Sequence, residues 1–261
     1  MVKISCWNVN SVRTRLSHLL SWLESDKADI VLLQELKCTN ELFPKEAIED
    51  LGYNVVVHGQ KSYNGVAILS RYPIEEINID LTNDPDHSHS RYIEVVITVN
   101  KKVIRVASVY VPNGQEVGSD KFKYKLAYFD ALYDHFNYLL SLDEVLIIGG
   151  DFNVAPNAID VYDETTLEGS ICFHELERKK FAALLHLGFI DAYREAYPKT
   201  QEFTWWDYRA GAFSRNQGMR IDHILLSPQA ADLFNSIKIE KNIRNQEKPS
   251  DHAPITCVLN I

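Results

Sequence analysis

The stretch from Val145 to Pro156, VLIIGGDFNVAP, sets a carboxylate and an amide two residues apart behind an apolar run. Residues two apart in extended backbone point to the same side. Asp151 and Asn153 could therefore offer an acid and a hydrogen-bonding amide to one ligand. The branched residues Val145 to Ile148 read as a buried strand. Gly149 and Gly150 read as a turn where a side chain would clash. By itself the stretch reads equally well as an Asx turn closing a strand, because Asp and Asn favour such turns. Other segments tip the balance. Asn8, Glu35 and Tyr110 each close an apolar segment on a polar group. Asp222 lies inside RIDHILLS, where an acid is costly unless paired. His252 is the expected partner, and Asp251 stands beside it in SDHAP.

These residue types select a chemistry. Carboxylate and amide oxygens without a cysteine cluster suit Mg²⁺, or Mn²⁺ in its place, rather than Zn²⁺. Such a cation neutralises phosphate charge and steadies a leaving alkoxide. Asp151 could orient or deprotonate a water. An Asp222–His252 hydrogen bond would fix the imidazole tautomer and favour a cationic ring beside a phosphate. Asn153 and Tyr110 could hold phosphate oxygens. The set specifies phosphoester hydrolysis by in-line attack of water, with no covalent intermediate.

The elements that must position these residues follow from the pattern. VKISCWNVN is a strand ending on Asn8, residues 15–25 an amphipathic helix, and DIVLLQELK a strand ending on Glu35. That order suggests a right-handed βαβ unit. Strands are expected at 53–58, 66–70, 203–206, 220–227 and 253–260, with a hairpin of 91–99 and 102–111 turning at Asn100 and Lys101. Residues 119–141 and 174–187 read as helices. No linker, low-complexity segment or repeat appears, so one domain over 1–261 is expected. Strands that outnumber helices, in two βα-rich halves, suggest a four-layer α/β-sandwich: two packed mixed sheets flanked by helices.

Composition narrows the class. With 46% hydrophobic and 24% charged residues the chain is ordinary globular material. No apolar run approaches the roughly 18 residues of a membrane span, and the N-terminus lacks the apolar core of a signal peptide. Cys6, Cys38, Cys172 and Cys257 lack CxxC spacing and read as reduced thiols of a cytosolic protein. The net charge of −9 argues against a generally basic nucleic-acid binder, though not against a local basic face beside acidic metal ligands.

The segments WNVNS, LLQELK, YVPNG, GGDFNVAP, RIDHILLS and PSDHAP, in this order, resemble the exonuclease III family of apurinic/apyrimidinic endonucleases, within the endonuclease/exonuclease/phosphatase superfamily. The resemblance runs from Lys3 to Thr256. GDFN and SDH mark only the superfamily, whereas QELK, SDKFKYKLAYFD, FTWWDYR and EKPSDHAP mark the DNA-repair branch. It implies Glu35 as principal metal ligand, with Asn8 and Asp251 completing the site directly or through water, and leaves room for a second ion near Asp151, Asn153 and His252. It implies Asp151 as general acid/base or water-positioning group. Asn153, Tyr110 and His252, the last paired with Asp222, would contact the phosphate. Tyr63, Asn64, Arg91 and Asn113 would meet the DNA backbone. Trp205, Phe213 and Met219 would line a pocket for a flipped-out abasic sugar; core packing is the competing reading for one of Trp205 and Trp206. Of Lys121, Lys123 and Lys125, helical spacing cannot set all three on one face. Lys121 is the expected phosphate contact, and the other two are expected on solvated surface.

The resemblance implies a Mg²⁺-dependent DNA-repair nuclease. It would cut 5′ of abasic sites, remove 3′ nucleotides from duplex DNA and clear 3′ blocking groups. A monomer in the bacterial cytoplasm, away from membranes, is expected. The alternative within the superfamily is a phosphatase or phosphodiesterase acting on inositol or lipid phosphates. A third reading, a binding module that kept only the fold, has every catalytic position filled against it.

Overall fold

The computed structural model describes residues 1–261. The chain begins β1 (Val2–Asn8), α1 (Leu16–Asp26), β2 (Ile30–Gln34), α2 (Lys45–Glu49), β3 (Asn54–His58), β4 (Val66–Ser70), β5 (Ile74–Asn78), β6 (Tyr92–Val99) and β7 (Lys102–Tyr110). It continues α3 (Asp120–Leu140), β8 (Val145–Asp151), α4 (Glu164–Leu167), α5 (Glu175–His186), β9 (Ile190–Asp191), α6 (Ala192–Ala196) and β10 (Trp205–Trp206). It closes with β11 (Gly218–Met219), β12 (Asp222–Leu226), α7 (Pro228–Ala231), β13 (Phe234–Ile239) and β14 (Ile255–Leu259). Two six-stranded sheets result, ordered β13-β14-β1-β2-β4-β3 and β5-β6-β7-β8-β12-β9, with a small β10-β11 ribbon. Both are mixed: β1–β2 and β7–β8 are parallel, whereas β1–β14 and β8–β12 are antiparallel. The expected βαβ unit is β1-α1-β2. The expected hairpin turns at Asn100 and Lys101, both with positive φ, as a two-residue hairpin turn requires.

Side-chain alternation divides the apolar residues among three layers of core. Ile4, Cys6, Ile30 and Leu32 meet Val95, Ile97, Val106 and Ile147 between the sheets. On the outer face of the first sheet, Trp7, Val31 and Leu33 pack against Leu19, Trp22 and Leu23 of α1. On the outer face of the second, Val109, Leu146 and Ile148 pack against Phe129, Leu132 and Phe136 of α3 and Phe181 of α5. The architecture is the expected four-layer sandwich. Each such side chain contributes about 1.5–3 kcal/mol by its burial.

Two expectations are corrected here. Gly149 and Gly150 do not turn the chain; they lie inside β8. A Cβ on Gly149 would come 2.6 Å from Leu32 Cδ1 of the opposing sheet, and one on Gly150 would strike the Val109 carbonyl. The glycines allow close approach rather than a bend. Lys125 is not on solvated surface but wholly buried. It shares the inner face of α3 with Phe122, Phe129, Leu132 and Phe136, the i+3/i+4 positions that face a core. Strands β5 and β13 were not foreseen. Both are edge strands with exposed or half-exposed polar residues, so their alternation is weak.

The sheet registers bring three site residues abreast. Tyr110 on β7 lies opposite Asp151 on β8, and Asp151 opposite Asp222 on β12. Behind this end sits a buried ionic knot. Arg220 Nε donates to Asp160 Oδ1 (2.6 Å) and Nη1 to Asp191 Oδ2 (2.7 Å), and Arg194 adds a second cation to Asp160 (2.5 Å). Burial pushes both carboxyls up, but the Arg220 charge outweighs it and holds each below its ordinary range. A depressed carboxylate stabilises the fold above its unfolded pKa and loses that contribution as pH falls. Arg220→Met should cost about 3–5 kcal/mol at pH 7, because it leaves buried acids without their central cation. The deficit should shrink as the pH falls to the carboxylate range. Urea unfolding at pH 7 and at about pH 3, below the ordinary aspartate pKa of about 3.9, checks this; a deficit independent of pH would contradict it.

Candidate active site

The strand ends at one edge of the sandwich surround a cavity of about 290 Å³ whose wall includes Glu35, Tyr110, Asn113, Asp151, Asn153, Trp205, Met219, Asp251 and His252. The floor is built from Asp151. Its Oδ1 accepts from Asn153 N (2.9 Å), which is the Asx turn of the second reading. Asn153 adopts a left-handed backbone (φ 51°) to make it. The turn and the site are therefore one device: the carboxylate that closes the strand also faces the cavity. Asp151 Oδ2 accepts from Asn8 Nδ2 (2.9 Å) across the two sheets. Asn8 is fully buried, and its amide oxygen accepts from Asn10 N (2.9 Å). Asn8 thus stands beneath the cavity and orients Asp151; its amide oxygen, with a second lone pair beyond the Asn10 bond, keeps one acceptor position.

Asp222 has the partner expected for it. His252 Nδ1 donates to Asp222 Oδ2 (2.8 Å), and His252 Nε2 lies 3.7 Å from Asp151 Oδ2. Two buried carboxylates thus flank one imidazole. Burial alone would lower the pKa of His252. The Asp222 and Asp151 charges overcome it and push the ring up to about 10, so it is an imidazolium at neutral pH. Burial pushes Asp151 up to about 7, restrained by the His252 charge and the Asn8 hydrogen bond. A buried carboxyl poised near neutrality beside a fixed donor suits proton transfer from water. Burial, with Glu35 and Asp151 nearby, raises the Tyr110 phenol well above its ordinary value and keeps it a hydrogen-bond donor.

Across the cavity, Asp251 Oδ1 accepts from Asn10 Nδ2 (2.8 Å) and Oδ2 from Trp205 Nε1 (3.0 Å). Burial pushes Asp251 up, but His252 and these donors hold it below its ordinary value. Glu35 follows β2 in a left-handed conformation (φ 57°) and pairs with Lys37 Nζ (2.9 Å). Asn10 and Lys37 were not singled out in the sequence, although both lie inside its quoted motifs, WNVNS and QELK. Their link, Lys37 Nζ to Asn10 Oδ1 (2.6 Å), joins residues far apart in the chain and has no spacing signature.

The donor set fits a metal ion. Asp151, Asp222 and His252 offer ligand atoms all within 4.8 Å of one another. Glu35 and Asp251 add two more carboxylates on the same cavity wall, and carboxylate oxygens are what a hard divalent cation prefers.

An adjoining cavity of about 370 Å³ shares Glu35, Tyr110 and Asn113 with the first and adds Tyr63, Asn64, Arg91 and Lys121. The sequence-predicted backbone contacts thus converge on one cleft. The Arg91 guanidinium lies 4.8 Å from the Tyr110 ring centroid and donates to the Tyr110 carbonyl (3.2 Å). Trp206 is fully buried, so core packing is the right reading for that one of the two. Trp205 and Met219 pair across β10 and β11 on the cavity wall. Phe213 is not on that wall; it packs edge-on against Trp206 (5.1 Å) and against Arg244 (5.0 Å), because the 209–216 loop folds it back onto the core.

Comparison with known proteins accords with this geometry. Residues 6–252 match the Endonuclease/Exonuclease/phosphatase family. The chain belongs to that family. Among its relatives are exodeoxyribonuclease III of Haemophilus influenzae, 33% identical over 97% of this chain and 98% of that one, and an exodeoxyribonuclease of Bacillus subtilis, 31% identical over the whole of both. These full-length matches place it in the exodeoxyribonuclease III branch. The 3′ phosphatase NExo from Neisseria, solved with a product DNA hairpin, superimposes over both whole chains with a TM-score of 0.96 at 38% identity. An AP endonuclease from Archaeoglobus fulgidus does so at 0.94 and 37%. The alternative of an inositol- or lipid-directed phosphatase is not favoured among these relatives.

The charge state of His252 is open to direct measurement. In the metal-free protein its ring should titrate near 10. Asp222→Asn keeps a hydrogen-bonding partner but removes a charge, and should bring that pKa down by at least about one unit. Ring-carbon NMR titration decides it. A wild-type value near the ordinary 6.5 (about 6.5 for free histidine) would refute the imidazolium assignment.

Proposed function

We propose that the chain is a Mg²⁺-dependent DNA-repair hydrolase acting as a cytoplasmic monomer of one domain. Its substrates are duplex DNA with abasic sites, cut on the 5′ side, and duplex ends from which it removes 3′ nucleotides or 3′ blocking phosphates. One observation carries the reading: a buried Asp151 beside a His252–Asp222 pair, on the floor of a cavity that opens onto a cleft holding Arg91 and Lys121. Relatives named for exonuclease, AP-endonuclease and 3′-phosphatase activity, one of them solved with product DNA, support the choice of DNA.

The placement of the residues supports the following roles. Asp151 takes a proton from the attacking water, whose oxygen bonds to phosphorus as the P–O3′ bond breaks. The imidazolium of His252, fixed by Asp222, neutralises charge on the phosphate oxygens. Asn153 and Tyr110 donate to those oxygens. Glu35 and Asp251 would hold Mg²⁺, which supplies charge neutralisation at the phosphate and the leaving oxygen. Trp205 and Met219 shape the wall against which a bare deoxyribose fits and an intact base does not. Arg91, Lys121, Tyr63, Asn64 and Asn113 position the DNA backbone. With a net charge of −9, attraction to DNA must rest on such local groups.

The test is a synthetic duplex with one abasic site, with Mg²⁺ and with EDTA. Wild-type protein should nick it only with Mg²⁺, leaving a 3′-hydroxyl. Glu35→Gln removes the anionic ligand and should slow cleavage by about 100-fold or more, with partial recovery at high Mg²⁺. Undiminished cleavage in EDTA would overturn the metal reading, and an intact duplex under all conditions would overturn the substrate.

A further inference from the structure

Beneath the cavity lies a buried ion pair that takes no part in the chemistry described above. Lys125 of α3 and Glu177 of α5 are both fully buried and in direct contact through Nζ and Oε1. The ammonium has three N–H donors, and each finds a partner. Besides Glu177 they reach the backbone carbonyls of Asn153 (2.7 Å) and Asn113 (3.0 Å). Glu177 in turn accepts from Cys172 N (3.2 Å) and His174 N (3.0 Å), the latter closing the capping box of α5. The pair therefore fastens loops 113, 153 and 172–174 to two helices at once.

Two of those loops carry site residues that touch each other. Asn113 Nδ2 donates to Asn153 Oδ1 (3.0 Å), and Asn153 Nδ2 donates to Val111 O (3.0 Å). Asn153 is held in a left-handed conformation, which is uncommon for a residue with a side chain and is kept in place by its surroundings. Lys125 supplies the donor to the carbonyl of that residue. Its stem also fits against Gly114, where a Cβ would come 3.1 Å from Lys125 Cδ.

We propose that Lys125 is a positioning residue for phosphate hydrolysis. Through the Asn153 and Asn113 carbonyls it sets the aim of the two side-chain amides and of the Asp151 Asx turn, with Glu177 as its buried counter-charge. The inference rests on the hydrolase reading of the cavity.

The experiment separates aim from stability. The double variant Lys125→Met/Glu177→Gln removes both buried charges together, so the fold should be less disturbed than in Lys125→Met alone, which strands a carboxylate. Glu177→Gln alone keeps Nζ and its two carbonyl contacts. On a nicked duplex bearing a 3′-phosphate with Mg²⁺, the double variant should lose about 10- to 100-fold in kcat with KM little changed. Glu177→Gln should keep kcat within about threefold even where its Tm falls. In the metal-free double variant, the side-chain amide NMR signals of Asn113 and Asn153 should shift while core methyl signals stay in place. The inference is overturned if kcat follows Tm across the three variants, if the double variant keeps wild-type kcat, or if it cannot fold at all, since the pair would then be scaffold alone. Wild-type protein run in parallel distinguishes the two levels: if it too leaves the 3′-phosphate uncut, the hydrolase reading fails rather than the role of Lys125.

Discussion

Two carboxylates side by side in the sandwich, Asp151 and Asp222, are the constraint on which the rest depends. The β8–β12 register puts them opposite each other, and both are buried. Like charges in a desolvated site repel strongly, and each is costly there on its own. One imidazolium between them, His252, resolves the conflict. It divides the acids: Asp222 holds the ring at hydrogen-bond distance, and Asp151 lies farther from it and faces the cavity, where the proposed function has it take a proton. The position of His252 depends in turn on the other sheet. Ser250 Oγ accepts from His252 N (3.2 Å) and donates to Asn8 O (2.7 Å), while Asn8 donates to Asp151. The two sheets are thereby pinned together at the edge where the chemistry lies.

The same economy extends outward. Rigid strand ends supply Asn8, Tyr110, Asp151 and Asp222, which need fixed distances. Loops supply Glu35, Asn113, Asn153 and Asp251, of which Glu35 and Asn153 are in left-handed backbone that dense hydrogen bonding keeps in place. Lys125 and Glu177 provide such bonding below, and Lys37 and Asn10 at the rim. The cleft beyond Tyr110 concentrates Arg91 and Lys121 on a molecule of net charge −9, so the proposed hold on DNA would be local and oriented.

Much of this was legible in the sequence because strand ends announce themselves: an apolar run followed by a polar residue fixes both the element and the edge at which its side chain emerges. Thus Asn8, Glu35, Tyr110 and Asp151 could be named, while Asp222, inside a strand pattern, could be singled out and assigned a partner on cost alone. What escaped depends on tertiary approach. The role of Gly149 and Gly150 is set by Leu32 and Val109, which are distant in sequence or on another strand. Lys125 sat at a core spacing among Phe122, Phe129 and Phe136, but its charge argued for solvent until a buried Glu177 was seen. Phe213 went to the core because its loop folds back, which composition does not encode.

The central claim is a single displacement by water activated at Asp151 and oriented between His252 and the Asn153 turn. The stereochemical course at phosphorus tests it most directly. A duplex with one phosphorothioate diastereomer 5′ to an abasic site would be cleaved in oxygen-18-labelled water and the product's configuration assigned. The account predicts inversion, with the label in the 5′-phosphorothioate. Retention would mean two displacements through a covalent intermediate on the protein, and an unlabelled product would mean that water does not attack phosphorus at all.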